Sequence, residues 1–406
     1  MKYIPRASEK IVKKYEKMFK VILVTGARQV GKTTMLKNLI TDTEYVTLDN
    51  VLESEVATSE PELFMRTHTS PLIIDEIQYA PTLLRYIKIL ADNSDKKALF
   101  YLTGSQKFDL MKNVSESLAG RVGVINLLGL SLREITQTDF NAPFIPTEHF
   151  LAMRKKTTKE VTYKKLWKTI FEGAMPAMQD RNMDAEAFYA SYVSTYLERD
   201  VRNLTQVGDT GDFLKFMAAL ASRIGSMLNL TSVAKEIGIS TPTAKRWLSI
   251  LETSNIIYLL EPYASNLMKR IVKTPKIYFQ DTGLAAYLTR WKNPEALESG
   301  IMAGNFFENF AIMEILKSYY NAGESRAPLS FYRDKDQNEI DLIIEENGTL
   351  YPIEIKKTAQ PAKDMTKKFA LLVNSGKNVG SGAVICACES PRFLDENNFA
   401  LPIIMI

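Results

Sequence analysis

Apolar and polar residues are arranged in blocks over the first third of the chain, as short apolar runs separated by segments with helical periodicity. The segments that contain these runs have the length of strands, and they lie at residues 21–24, 44–49, 71–78, 98–104 and 124–130, of which 44–49 and 71–78 also carry acidic residues at or near their ends. A run of consecutive apolar residues is typical of a strand buried on both faces of a parallel sheet. Strands that alternate with helices predict a parallel α/β sheet, with its ligand at the carboxyl ends of the strands.

A glycine-bordered loop follows the first run, in the segment VILVTGARQVGKTT at residues 21–34. The loop matches G-x-x-x-x-G-K-S/T and stands between a predicted strand and a predicted helix at residues 34–40, as a phosphate loop does. Backbone N–H groups of such a loop, together with the positive end of the helix dipole, bind a phosphate. We therefore expect a nucleotide to be bound by Gly26, Ala27, Arg28, Gln29, Val30, Gly31, Lys32, Thr33 and Thr34.

Side chains in and beyond this loop have the chemistry of nucleotide hydrolysis. We expect Lys32 to neutralise the outer phosphates as a catalytic residue, and the Thr33 hydroxyl to ligate Mg²⁺. Within residues 71–78, an apolar stretch ends in the adjacent acids Asp75 and Glu76, which is the Walker B pattern. Asp75 would hold Mg²⁺ through water, and Glu76 would polarise the attacking water. Acidic strand ends are common, but downstream of a phosphate loop this pair predicts a triphosphate hydrolase.

Three further polar residues are candidates for contact with the γ-phosphate. Thr103 and Ser105, at the end of the run 98–104, could sense that phosphate or position water, and Ser105 is nearly as well explained as a helix cap. Arg121 precedes the run 124–130 and could reach a phosphate in cis or in trans, as arginine fingers do. A surface salt bridge explains Arg121 equally well, and action in trans would require an oligomer.

Composition restricts the class of protein. The chain of 406 residues is long enough for several domains, and its hydrophobic and charged fractions of 46% and 24% are those of ordinary globular proteins. The net charge of +4 requires any nucleic-acid surface to be local. Cys386 and Cys388 have neither a further cysteine nor a nearby histidine in the sequence, so we expect buried structural thiols and no zinc site. Because no apolar stretch approaches a membrane span and no secretory signal is present, we expect a soluble, cytoplasmic protein without a membrane partner.

Residues 228–263 have the pattern of a winged helix-turn-helix. Two helices at residues 230–237 and 241–248 flank a Gly-Ile-Ser turn, and a strand follows at residues 255–260. We expect DNA contacts from basic residues of the second helix and of the wing, which are Lys245, Arg246, Arg270 and Lys273, with Lys276 in the same cluster. Winged helices also serve protein contacts alone, and the sequence leaves that alternative open.

In the C-terminal part, acidic residues and a lysine are predicted to lie on the same face of a sheet. A hairpin turn at Asn347-Gly348 joins two predicted strands, of which the second reads PIEIKK. Residues two apart on a strand face the same way, and a helix predicted at residues 305–320 supplies a further acid. The nuclease-like set is Glu308, Asp341, Glu354 and Lys356. Carboxylates that hold metal and a lysine that orients water suit Mg²⁺-assisted phosphodiester hydrolysis.

Two resemblances follow from these motifs. The segments VTGARQVGKTT, LIIDEIQ, YLTGSQ and SLAGRV, in this order, resemble the ATPase domain of a prokaryotic AAA+-like family whose members carry an uncharacterised C-terminal region. This resemblance implies ATP, and the N-K-x-D segment that GTP-specific domains use is absent from the sequence. The segment EIDLIIEENGTLYPIEIKK resembles the restriction-endonuclease-like fold, whose signature is D, a short gap, then E-x-K. Members of that superfamily can keep the fold and lose cleavage, so catalysis stays open.

The sequence as a whole predicts four α/β or helical domains. They are a P-loop ATPase domain at residues 1–142, a helical linker region at 143–225, a winged helix-turn-helix at 226–293 and a restriction-endonuclease-like domain at 294–406. The last domain is expected to begin with a linker. The leading hypothesis is an ATPase that uses ATP and Mg²⁺ to couple nucleotide state to the binding of DNA, in preference to RNA, and to its cleavage. The alternative is a nucleotide-switched regulator or adaptor whose nuclease-like domain is inactive and binds a protein partner.

Overall fold

The computed structural model describes residues 3–104, 114, 117–196, 210–263 and 274–406. The chain divides into two compact units. Unit 1 contains Met1–Leu130, Thr253–Asn255 and Tyr320–Ser325, and unit 2 contains Ser131–Glu252, Ile256–Tyr319 and Arg326–Ile406. The finer division at residues 142, 225 and 293 stays a prediction.

Unit 1 is built on a parallel sheet. Its strands are β1 (Val21–Thr25), β2 (Glu44–Thr47), β3 (Leu72–Asp75), β4 (Phe100–Gly104) and β5 (Val122–Asn126). Its helices are α1 (Glu9–Tyr15), α2 (Lys32–Leu39), α3 (Val51–Ser59), α4 (Pro61–Thr67) and α5 (Leu83–Asp92), with a 3₁₀ turn at Ile77–Tyr79. As far as the structure describes it, the sheet has the order β2-β3-β4-β1-β5, and every neighbouring pair is parallel. The predicted parallel α/β sheet is confirmed.

The burial of the strands follows their sequence pattern. All residues of β1, β3 and β4 are buried, as expected for consecutive apolar residues in the interior of a parallel sheet. The edge strand β5 alternates buried and half-buried positions. Because β4 lies between β1 and β3, the carboxyl ends of these three strands are neighbours along one edge of the sheet. The phosphate loop, Asp75 and Thr103 all stand at that edge.

Unit 2 is helical in its first half and contains a mixed sheet in its second. The helices that begin in it are α6 (Leu132–Ile135), α7 (Glu148–Lys155), α8 (Tyr163–Glu172), α9 (Ala185–Tyr196), α10 (Thr210–Ala221), α11 (Leu230–Ile237), α12 (Thr241–Thr253), α13 (Thr282–Leu288), α14 (Pro294–Ser299) and α15 (Ala303–Asn321). Segments of 3₁₀ helix lie at Pro176–Gln179, Lys363–Ser375 and Ile403–Met405. The strands are β6 (Ile257–Leu260), β7 (Lys276–Phe279), β8 (Leu329–Arg333), β9 (Glu339–Glu346), β10 (Thr349–Lys356), β11 (Asn378–Val379), β12 (Gly382–Cys386), β13 (Arg392–Phe393) and β14 (Asn398–Pro402).

The C-terminal sheet has the order β13-β14-β12-β10-β9-β8, and β11 pairs with β10. Strands β8, β9 and β10 are antiparallel, whereas β12 is parallel to β10 and to β14. Asn347 and Gly348 have φ angles of +49° and +76° between β9 and β10, which are the left-handed angles that a two-residue hairpin turn requires. The predicted hairpin is confirmed.

One local prediction in unit 2 is wrong. The linker predicted at the start of the fourth domain begins with α14, because the Asn293 side chain accepts a hydrogen bond from Ala296 N at 2.8 Å and caps that helix. Asn229 caps α11, with its Oδ1 accepting a hydrogen bond from Ser232 N at 3.0 Å. None of the helices in the described ranges is both long enough and apolar enough to cross a membrane.

Candidate functional site

The phosphate loop joins β1 to α2 through a backbone that turns sharply. Gln29 and Gly31 have φ angles of +60° and +91°, in the left-handed region. Gly26 begins the loop with φ +152°, and a Cβ added there would overlap the carbonyl oxygen of Leu127. The loop can therefore pass beside the end of β5 only if glycine occupies this position.

Lys32 is the first residue of α2 and is only 6% exposed. Its Nζ donates hydrogen bonds to Gly26 O at 3.1 Å and to Ala27 O at 2.9 Å. The ammonium group is thus held over the loop backbone, beside the amino end of α2, where the helix dipole favours an anion. Both features fit the binding of a phosphate.

Asp75 connects three elements at the carboxyl edge of the sheet. Its Oδ1 accepts hydrogen bonds from Thr33 Oγ1 at 2.8 Å and from Thr103 Oγ1. Its Oδ2 accepts from the Tyr45 hydroxyl at 2.9 Å. Burial and the Asp75 charge raise the pKa of Tyr45 to about 12, so this phenol keeps its proton and donates. The hydroxyl of Thr33 and the carboxylate of Asp75 are adjacent oxygen groups of the kind that Mg²⁺ prefers, and they fit that ion.

Glu76 follows β3 with a left-handed backbone, at φ +57°. Its N–H donates to Thr103 Oγ1 at 3.2 Å, and its carboxylate accepts a hydrogen bond from the Gln78 side chain. The buried Thr103 hydroxyl therefore contacts Asp75 and the Glu76 backbone together. Its role as a sensor stays a prediction, and Ser105 lies outside the described residues.

Arg121 is placed at the opposite edge of the sheet from the phosphate loop. Its carbonyl accepts a hydrogen bond from Val21 N at 3.1 Å, at the amino ends of β1 and β5. Its guanidinium pairs with Asp92, and Nη2 lies 3.0 Å from Oδ2. The predicted action on the γ-phosphate in cis is wrong, because the length of β1 separates this side chain from the loop. Action in trans stays a prediction.

The sequence did not identify Arg6, which also contacts the loop. The side chain is 5% exposed, and it donates from Nη1 to Val30 O at 2.7 Å and from Nη2 to Leu128 O at 2.7 Å. It thereby ties the phosphate loop to the chain just beyond β5. Arg6 precedes α1, which begins at Glu9.

A second cluster lies within unit 2, where the nuclease-like residues come together. Lys356 Nζ lies 2.7 Å from Glu354 Oε1 and 3.2 Å from Asp341 Oδ2. Asp341 Oδ2 also accepts a hydrogen bond from Ile355 N at 2.8 Å. The other oxygen of Glu354, Oε2, is buried without a hydrogen-bond partner among the described residues.

Glu308, on α15, is held by two residues of β7. Its Oε1 accepts a hydrogen bond from the Tyr278 hydroxyl at 2.6 Å and lies 3.3 Å from Lys276 Nζ. Lys276 Nζ also lies 2.6 Å from Glu339 Oε1. Lys276 is 2% exposed, so the prediction that it belongs to a basic surface of the wing is wrong.

Burial and charge shift the titration of this cluster. Burial and the nearby Asp341 carboxylate raise the pKa of Glu308 and of Glu354 to about 7. Burial would lower the pKa of Lys276, but the Glu308, Asp341 and Glu339 carboxylates raise it above its ordinary value. Within the described ranges, no three His, Cys, Asp or Glu residues are arranged to hold a metal ion. The cluster as folded therefore does not fit a metal centre.

The candidate DNA-binding residues are only partly described. Lys245 and Arg246 lie exposed on α12, whereas Arg270 and Lys273 lie outside the described residues. Trp247, next to them, is buried, and its ring centroid lies 5.1 Å from that of Phe213. Trp247 therefore belongs to the core. Helices α11 and α12 are followed by the antiparallel pair β6–β7.

Comparisons with known proteins give matches over most of the chain. Residues 18–136 match the model of an AAA domain. Residues 163–295 and 303–406 match two domains of unknown function, DUF8612 and DUF4143. The chain is 29% identical over 355 residues to uncharacterized proteins of Mycobacterium tuberculosis and Mycobacterium bovis, covering 87% of this chain and 74% of each relative. A solved structure, the Walker-type ATPase of Pyrococcus abyssi, is similar with a TM-score of 0.44 and 14% identity, over 69% of this chain and 94% of that one.

The match at residues 18–136 and the geometry of the phosphate loop support an AAA-type P-loop ATPase domain in the N-terminal part of the chain. The C-terminal match is to a domain without an assigned function. None of the matched descriptions names a winged helix or a nuclease.

Proposed function

We propose that the AAA-type domain at residues 18–136 binds ATP with Mg²⁺ and hydrolyses it. The observation that carries the proposal is the hydrogen-bonded set at the mouth of the loop, in which Asp75 accepts from Thr33 and Thr103, and Thr103 accepts from Glu76 N. This set supports the proposal because the Thr33 hydroxyl, the Asp75 carboxylate and the backbone of Glu76 lie together beside the phosphate loop.

Each residue of the set has a separate task in the proposed reaction. The loop N–H groups and Lys32 bind the phosphates, and Thr33 and Asp75 would hold Mg²⁺, which supplies positive charge to the phosphate oxygens when bound. Glu76 accepts a proton from, or orients, the attacking water. Thr103 fixes the relative positions of Asp75 and Glu76, because its hydroxyl contacts both.

Replacement of Lys32 by alanine is expected to weaken ATP binding by about 10- to 100-fold. A hydrogen bond to a charged group contributes about 1.5–3 kcal/mol, which corresponds to that range. The measurement is calorimetric titration of the purified chain with Mg²⁺ and ATP, and Lys14→Ala, at an exposed position of α1, is the matched control. No binding by the unaltered chain, or equal affinity in Lys32→Ala, would refute the proposal.

We also propose that α12 contributes to DNA binding by unit 2. The supporting observation is that Lys245 and Arg246 are adjacent and exposed near the start of α12, the second helix of the pair α11–α12. The proposal also includes DNA contacts by Arg270 and Lys273, which lie outside the described residues. ATP binding would alter DNA affinity, and DNA would alter the turnover of ATP.

The double variant Lys245→Ala with Arg246→Ala is expected to bind duplex DNA about tenfold less tightly. Each DNA phosphate that the variant no longer neutralises should also reduce the slope of log affinity against log salt by about 0.9. Fluorescence anisotropy at several salt concentrations measures both quantities. Lys164→Ala with Lys165→Ala removes the same charge from the exposed face of α8 and is the control. Equal decreases in affinity in the two double variants would argue against a specific role of α12.

Cleavage of nucleic acid by unit 2 stays a prediction. The rival hypothesis is a regulator or adaptor in which unit 2 binds a protein partner without cutting nucleic acid. The lysine contacts to Asp341, Glu354 and Glu308 favour the rival. Mg²⁺-dependent nicking that disappears in Asp341→Ala and survives in Lys32→Ala would establish a nuclease. Absence of cleavage on every DNA and RNA form, together with ATP-dependent association with a protein, would establish the regulator or adaptor.

A further inference from the structure

The carboxylate cluster of unit 2 contains the side chain of Lys276, which does not belong to the C-terminal sheet. Lys276 stands at the start of β7, which pairs with β6 and is not a strand of the C-terminal sheet. Its Nζ lies between two acidic side chains, 2.6 Å from Glu339 Oε1 and 3.3 Å from Glu308 Oε1. A lysine that is almost fully buried is rare unless it is paired, so these contacts define its role.

The rest of the cluster is neutralised in the same way. Lys356 pairs with Asp341 and Glu354 at 3.2 Å and 2.7 Å. Arg333 Nη1 pairs with Glu339 Oε2 at 2.8 Å. Each acidic side chain of the cluster therefore has at least one cation within ion-pair distance.

Contacts with lysine and with the backbone already occupy several oxygen atoms of the cluster. Glu308 Oε1 accepts from Tyr278 and contacts Lys276, and Asp341 Oδ2 accepts from Ile355 N and contacts Lys356. Glu354 Oε1 contacts Lys356, and Glu354 Oε2 is buried without a hydrogen-bond partner among the described residues. A divalent cation takes about six ligands and would have to compete with the two lysines for these carboxylates.

We propose that Lys276 is the resident cation of this cluster, which holds Glu308 and Glu339 in place and keeps divalent metal ions out. A divalent ion that entered the cluster would lie close to the buried ammonium group, and the two positive charges would repel each other. The cluster then acts as an ion-paired support within unit 2, joining β7 to α15 and β9. This inference is independent of nucleotide binding by unit 1.

Titration of the full-length, nucleotide-free chain with Mn²⁺ tests the proposal. Each chain is compared with the same chain that also carries Asp341→Asn. The difference in Mn²⁺ binding between the two is the binding that depends on the cluster, because ions bound elsewhere are common to both. The unaltered chain is expected to show no such difference below millimolar Mn²⁺. Lys276→Met keeps an unbranched apolar side chain of similar size without the charge, and it is expected to bind Mn²⁺ at least about tenfold more tightly.

Two further variants make the result decisive. Lys317→Met removes another buried lysine, which pairs with Glu314 at 2.8 Å, and it should leave Mn²⁺ binding unchanged. If Lys276→Met fails to fold by circular dichroism, Lys276→Met with Glu339→Gln keeps the charge balance and should show the same gain. The proposal is overturned by micromolar Mn²⁺ binding in the unaltered chain that Asp341→Asn abolishes, or by a folded Lys276 variant without the gain.

Discussion

Replacement of Glu76 by glutamine is expected to lower kcat for ATP hydrolysis by about 100- to 10,000-fold, the range found when a general base is removed. Glutamine has the same shape but cannot accept a proton from water. The N–H of residue 76 would still donate to Thr103, because that hydrogen bond comes from the backbone. ATP binding should therefore persist, and the decrease should fall on kcat more than on KM.

Steady-state phosphate release together with calorimetric ATP binding separates these two effects. Glu62→Gln is the matched control, since Glu62 is exposed on α4 and pairs with Arg66 across one helical turn. The control should retain full turnover. Unchanged turnover in Glu76→Gln would remove Glu76 from the reaction, and a joint decrease of binding and turnover would indicate a structural role instead.

Replacement of Gly26 by alanine is expected to abolish tight ATP binding, with affinity reduced by about 100-fold or more. The added Cβ would overlap Leu127 O, so either the loop or the end of β5 must shift. A displacement of about 1 Å in a site that depends on orientation can cost about 100-fold. Overpacking should also lower the free energy of unfolding of unit 1 by about 1–3 kcal/mol.

Gly120→Ala is the control that separates backbone strain from steric overlap. Gly120 also has a positive φ, at +74°, but a Cβ there meets no atom within 4 Å. This variant should lose some stability in urea denaturation and keep its ATP affinity. If Gly26→Ala binds ATP as tightly as Gly120→Ala, the close approach of the loop to Leu127 has no bearing on the site.

Residues that are close together in the chain were enough to predict the local parts of this protein. Consecutive apolar residues predicted the strands of the parallel sheet, and the glycine-bordered loop was predicted between its strand and helix. Asp75 was predicted at the end of a strand, and Asn347-Gly348 at a hairpin. These predictions succeed because side-chain periodicity, positive φ angles and strand ends depend on neighbouring residues.

The pairing of charged side chains across the fold, in contrast, emerged from the tertiary structure. Arg121 pairs with Asp92 at the edge away from the loop, and Arg6 contacts the loop across more than twenty residues of chain. Lys276 is buried among carboxylates from α15 and β9. Local sequence could not distinguish these residues from ordinary surface charges, because a lysine or arginine looks the same in sequence whether its partner is distant or absent. The strand order and the packing of helices onto the sheets bring such partners together, and these long-range contacts decide which charges are buried.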